Sequence, residues 1–491
     1  MKRFLIVLGA VAAGLVMLAF IGLAARFVRD RNQRATEEEI RAEREADRAA
    51  ARAAFAAPIA PTAAEAEEFG RFFQSLGEAL DRGNEATVVD HFDADRMTSE
   101  FIRFGAFDRL GGRPSARDRA GMARGVRQGI GRTLVQNELL RWDSTQVRAV
   151  RWAADRREAV VIATHKNEVG GEETDAKVRW WLVRGPGAGW KAYDLEDLDV
   201  GSRLTQLGAA VVTPELVAEG AAGIARIQTA TEATREALGA VLRRDADAAD
   251  RALARARGQN LPIPVAALRE LAEASLALVR LDHATTLTRL DEADRLLPGM
   301  PAVKLVRAAA LNLAGRHEEA LEQARGYLDE LGPDALAYTH TGLALERLNR
   351  PDEAAADYRK ALDTTPNQLD ALFGLRRVLP ADKKAEIGDR LANARDPLRD
   401  FDELIRDARD DGDAAGVTAL LAGLRKARPD DPRVAEEEVR ELVKGGRYAA
   451  AALVQRRLGN SPPGRTMPPV LTAYLGAMLG ANRAAEAWGG G

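Results

Sequence analysis

Gly315-Arg316-His317-Glu318-Glu319-Ala320-Leu321 and Asn349-Arg350-Pro351-Asp352-Glu353-Ala354-Ala355 stand 34 residues apart. They fall at the same phase of two consecutive units, Pro301–Asp334 and Ala335–Gln368. The first unit carries Ala308, Gly315, Ala320, Tyr327 and Leu328. The second carries Tyr338, Gly342, Leu345, Ala354, Tyr358, Ala361, Leu362 and Pro366. Small residues at Gly342, Ala354 and Ala361 let two helix backbones approach, and Leu345, Leu348 and Leu362 fill the space around that contact. Asn349-Arg350-Pro351 interrupts helical periodicity where a proline is well placed near a helix start. Pro366 marks the end of the second helix. One such helix pair cannot bury its apolar face alone, so the units must stack.

These residues at this spacing resemble the tetratricopeptide family, whose repeat is a pair of antiparallel helices. Pro351–Pro366 is the best-matching part. Working outward, Ala267–Met300 is a third unit in phase, with Ala274, Ala293 and Pro298 at matching positions. Ala222–Leu242 and Ala246–Arg257 form an earlier helix pair, ended by Gly258 and Leu261-Pro262-Ile263-Pro264. Leu369–Leu379 begins a further helix, Pro380 stops the pattern, and 381–397 is expected to be an irregular spacer or an atypical helical turn. The phase resumes in Leu398–Asp431 and Pro432–Arg465, and again from Thr466. A tetratricopeptide-like α-solenoid over 211–491, clearest over 267–368, is the expectation.

The resemblance implies protein partners lying on a face made by the first helix of each pair. Leu271, Ser275, Leu278, Leu305, Ala309 and Arg377 fall on that face. Asn312, Thr339, Leu343, Glu346, Arg347 and Phe373 are the candidate groove residues. The best-known subgroup of the family clamps a carboxylate with lysines and asparagines. Leu305 and Thr339 stand at such places here, so a helical or extended apolar segment is the expected occupant.

The chain of 491 residues is too long for one core, and its net charge of −3, with both signs interspersed, gives no basis for nucleic-acid binding. Only 5% of residues are aromatic, which favours helix over sheet, and with no cysteine there are neither disulfides nor thiol chemistry. Phe4–Ala25 is an almost unbroken apolar run behind Lys2 and Arg3, of about the length that spans a bilayer. It predicts a transmembrane anchor over 1–28, with residues 4–25 in the lipid. Arginines on the far side, from Arg26 to Arg34, leave orientation nearly undecided by charge, although an extracytoplasmic soluble part is favoured. Residues 29–62 read as a charged helical spacer ended by Pro58 and Pro61.

Residues 63–210 change character. Phe69, Phe72, Phe73, Leu76 and Leu80 recur at helical spacing; Val88–Ile102 is a broken helical stretch and Ser115–Leu139 a longer helix. Then 147–152, 159–165, 176–183 and 190–195 read as strands separated by turns. Helices followed by an antiparallel meander make an α+β layer pair. Trp190-Lys191-Ala192-Tyr193-Asp194-Leu195-Glu196-Asp197 resembles the closing strand of the nuclear-transport-factor-like superfamily and of the periplasmic phospholipid-shuttle family. Both groups can enclose an apolar pocket. The resemblance therefore implies, as an alternative function, binding of a lipid-like or small apolar ligand by 63–210. Chemical groups are few. His91 beside Asp90 and Asp93 could form an Asp–His pair, but no nucleophile motif accompanies it. Asp194, Glu196, Asp197 and Asp199 could hold a cation, although alternating strand residues point to opposite faces. The sequence thus reads as a mainly α, membrane-anchored scaffold that binds envelope proteins, with no enzyme activity, cofactor or metal expected.

Overall fold

The computed structural model describes Phe55 and residues 59–454, apart from 106, 108–113, 137–140, 170–171, 185–188, 199, 367, 394–400, 430, 448–449 and 452. It divides into two compact units, Met1–Ala314 and Gly315–Gly491.

The first unit opens with α1 (Ala63–Asp81), α2 (Glu85–Asp90), α3 (Ala94–Arg103) and α4 (Ala116–Gln136). Thr62 caps α1 reciprocally with Glu65, satisfying two backbone donors that the first helical turn leaves open. Strands β1 (Ser144–Trp152), β2 (Glu158–Val169), β3 (Glu172–Arg184), β4 (Trp190–Asp197) and the short β5 (Ser202–Arg203) form one antiparallel sheet in sequence order. The apolar stripe of α1 lies on this sheet: Phe69, Phe73 and Leu76 are buried with Val161, Ala163, Trp180 and Leu182. Two tryptophans fasten the helix. Trp152 Nε1 donates to Glu65 at 3.0 Å and Trp190 Nε1 to Glu68 at 2.9 Å.

The helical hairpins begin after α5 (Leu204–Val211) and α6 (Pro214–Glu219). The first unit holds α7 (Ala221–Leu242) with α8 (Ala246–Ala254), α9 (Ile263–Val279) with α10 (His283–Leu296), and α11 (Pro301–Leu313). Ile227, Ala230, Ala233, Ala256 and Val265 share one apolar core with the sheet layer. The second unit holds α12 (His317–Leu331), α13 (Ala335–Arg347), α14 (Pro351–Thr364), α15 (Leu369–Val378), α16 (Ala385–Ala392), α17 (Phe401–Asp410), α18 (Ala414–Ala427) and α19 (Pro432–Lys444).

The period is written in the backbone. The second helices start at His283, His317, Pro351 and Ala385, each 34 residues after the last. The turns before three of them place Leu281, Gly315 and Asn349 at φ of 60°, 75° and 59°. Arg244, Gly412 and Gly446 take the same left-handed conformation in other hairpins. The next backbone N–H closes the helix end: Asp282 donates to Ala277, Arg350 to Leu345 and Asp413 to Ala408. This satisfies carbonyls that a helix terminus otherwise leaves open.

Over 381–393 the helical alternative holds and the spacer does not: a 3₁₀ turn at Ala381–Lys383 leads into α16, which keeps the 34-residue phase. Pro380 ends α15, and Ile387 and Leu391 then bury an apolar face. The membrane-anchored fold class and its single-pass localisation are corrected. No helix among the described residues is long and apolar enough to cross a membrane. Even the long, apolar α9 carries Arg269, Glu270 and Glu273 within its span. The stretch 4–25 itself, the spacer before Phe55 and the residues after 454 lie outside the described residues.

Candidate protein-binding site

Helices α13, α14 and α15 are locked around one side chain. Tyr358 of α14 is buried against Gly342 of α13 and Gly374 of α15. A Cβ at Gly342 would lie 2.7 Å from the ring, and one at Gly374 2.1 Å from Cζ. Only hydrogen at these positions leaves room for the tyrosine. Its hydroxyl donates to Glu346 Oε2 at 2.7 Å. Glu346 also accepts from Arg377 Nε at 2.7 Å and Nη2 at 3.1 Å, tying the two first helices α13 and α15 together. Burial pushes the Tyr358 phenol well above its ordinary value, and the Glu346 charge pushes it further.

The structure places the expected groove residues unequally. Thr339, Leu343, Glu346 and Arg347 share α13, and Phe373 stands on α15. Thr339 is buried, and its hydroxyl donates to the Ala335 carbonyl at 2.7 Å. Glu346 is half-buried and held by Tyr358 and Arg377. Leu343 and Phe373 are half-buried, and Arg347 is exposed, with no ion pair among the described residues. Asn312 is buried near the end of α11, in the first unit. Leu271, Ser275, Leu278 and Leu305 belong to the core.

Sequence reading passed over Arg376, beside the named Arg377. It is only 1% exposed. Nη1 donates to Asp413 at 2.8 Å, and Nη2 is paired with Asp407 at 2.5 Å and with Asp411. Lys384 also reaches Asp413. Burial alone would push the guanidinium down, but the three carboxylates outweigh it and hold it above its ordinary value. The acidic run Asp407, Asp410, Asp411 and Asp413 was the available signal, since such a run beside an apolar helix needs a cation.

The other candidates are structural. His91 closes the end of α2: its Nδ1 lies 2.8 Å from the Thr87 carbonyl and its Nε2 3.0 Å from Ser75 Oγ. Asp93, offered as its partner, instead caps α3 through the Arg96 amide at 2.9 Å. His165 lies in the core, where Trp180 Nε1 donates to its Nε2 at 2.9 Å. Nδ1 of the neutral ring therefore carries the proton and donates to Thr145 Oγ1 at 2.8 Å. Burial pushes this imidazole down to about 3. Asp194 accepts from Arg203 Nε at 2.7 Å and Thr205 Oγ1 at 2.5 Å, and Glu196 accepts from Arg179 at 2.8 Å. Among the described residues no group of three or more histidines and carboxylates could hold a metal ion. Between α1 and the sheet, Phe69 and Phe73 pack on Trp152, Trp190, Trp180 and His165.

The sequence matches no protein-family model and no characterised protein. A search of solved structures finds the crystal structure of the P58(IPK) TPR domain, at 15% sequence identity and a TM-score of 0.22. The match covers 58% of this chain and 78% of that one. A TM-score this low does not establish a common fold, so the architecture rests on the hairpins themselves.

Proposed function

We propose that this chain is a protein-interaction scaffold whose helical hairpins hold partner segments on the open side of α13 and α15. One observation carries the reading. Leu343 and Phe373 stay partly open and Arg347 stays exposed on helices whose positions are fixed by Tyr358, Glu346 and Arg377. Apolar side chains beside a free guanidinium suit a helical or extended segment carrying a hydrophobic residue and a carboxylate. Helices already held in place spare binding the cost of ordering them.

The test pairs Arg347→Ala and Leu343→Asn with melting temperature and quantitative recovery of cross-linked partners. Loss of the same partners from both variants, at an unshifted melting temperature, supports the surface. An intact partner set in the double variant sinks it.

A further inference from the structure

One side of the sheet packs on α1; the other carries charge. Register and alternation place Arg151, Lys166, Lys177 and Arg179 on the side away from α1, around half-buried Ala149 and Ile162. Arg148, in the bulge of β1, is exposed and reaches the same side, where its Nε donates to Thr164 Oγ1 at 3.2 Å. The described carboxylates of that side are engaged: Glu158 by Arg96 and Tyr193, Asp194 by Arg203, and Glu196 by Arg179. The middle of this face is therefore positive. Glu158 lies at the end next to the β1–β2 turn, and Glu168, Glu172, Glu173 and Asp175 stand at the end next to the β2–β3 turn. The chain reaches this face from the edge of the sheet. Ile59 pairs with Val150, each N–H donating to the other's carbonyl at 3.0 Å. Four residues earlier, the Phe55 carbonyl accepts from Arg151 Nη2 at 3.4 Å, so the chain before Phe55 starts beside the cations.

That chain alternates in sign. Backward from Phe55 come Arg52 and Arg48, then Glu37–Asp47 with six acidic residues against Arg41 and Arg44, then Arg34, Arg31 and Arg29. The sheet face reads in the complementary order from the same end: acidic at Glu158, basic in the middle, acidic by the β2–β3 turn. The lengths agree. As a helix Glu37–Asp47 is about 15 Å long. The strand from Val160, opposite Arg151, to Lys166 spans about 20 Å. We propose that residues 29–54 form a helix that docks along this face of their own chain, with the acidic middle on Arg148, Lys166 and Arg179. Ala42, Ala46, Ala49 and Ala53 recur on one side of that helix, and their small side chains let it approach Ala149 and Ile162. The tether at Phe55 holds the segment at high local concentration, which favours it over an acidic partner from outside. Docked, it closes the face to such partners.

Hydrogen exchange on the full chain tests this, with an end-blocked peptide of residues 29–54 as reference. Amides of 36–54 should exchange about 10-fold more slowly in the chain than in the peptide. Arg148→Glu should speed them about 5-fold, because it turns an attraction into a repulsion, and high salt should act in the same direction. Arg148 is exposed, and unchanged protection in β2 and β3 verifies that the variant's sheet is intact. Adding Glu39→Arg and Glu43→Arg to Arg148→Glu should restore the protection, which a general loss of stability would not allow. Peptide-like exchange in the parent chain, or no response to Arg148→Glu, overturns the proposal. Protection that rises with protein concentration also overturns it, and gives the face to a second copy of the chain.

Discussion

Trp190 reaches Glu68 across 122 residues of chain, whereas Tyr358 reaches Glu346 across 12. The two contacts stand for two ways of building. In the sheet layer, α1 is held by strands that arrive much later in the chain, so its parts form together or not at all. From His317 onward most helices are held by neighbours in sequence, with α16 packed on α18 at Gly388 and Gly423 as the exception, and damage there should stay local. Both regions pair their buried charges, Arg203 with Asp194 in the sheet layer and Arg376 with Asp413 in the hairpins, so the contrast lies in chain separation and not in polarity.

The largest test removes the ring that α13 and α15 share. Tyr358→Ala should cost about 3–5 kcal/mol, and hydrogen exchange should show protection lost over α13 to α15 while β2 and β3 keep theirs. Loss spread evenly over both regions would erase the contrast. Next comes Arg376→Met, which takes the buried cation from Asp407 and Asp411 and leaves Asp413 to Lys384, and should cost about 1–3 kcal/mol at neutral pH. That cost should shrink on acidification through the carboxylate range, as denaturant titrations at several pH values can show. A pH-independent cost would mean that packing, not charge, holds Arg376.

His165 sharpens the other side. Its folded value near 3 lies below its ordinary 6.5. The unfolded chain therefore binds the proton first, and stability complete above pH 6.5 is lost as pH falls toward 3. The slope reaches about 1.4 kcal/mol per pH unit. Asp194 acts oppositely, because burial raises its carboxyl and the native state takes that proton first. His165→Gln should remove the histidine's share alone, giving a flatter curve of stability against pH between those limits. Identical slopes would show that His165 is not held neutral.

The smallest effect concerns the turns. Leu281 is 69% exposed and takes the left-handed conformation that glycine supplies at Gly315. Leu281→Gly should stabilise its hairpin by about 1 kcal/mol, measured by chemical denaturation. No gain would mean that the leucine has a packing role in the turn.

Much of this architecture was legible in the sequence. Gly342, Ala354 and Ala361 sit where small residues recur, and the strands announced themselves by valine and tryptophan between turns. The 34-residue phase also holds at α16, where Pro380 had hidden it, since a proline ends one helix without forbidding another five residues later. The candidate surface was less legible. Thr339 and Asn312 are polar yet buried, and Glu346 is committed to internal partners. Phase names the helix that carries a residue; it does not say which side a neighbour covers.

The sequence alone determined the helix pairs, their period and the order of the strands, because backbone preference and apolar spacing act over a few residues. Only the tertiary structure decided that Tyr358 stands between two glycines, that Arg376 is surrounded by aspartates, and that His165 is neutral. Each depends on how closely separate elements approach, and that distance sets burial, hydrogen bonding and charge together.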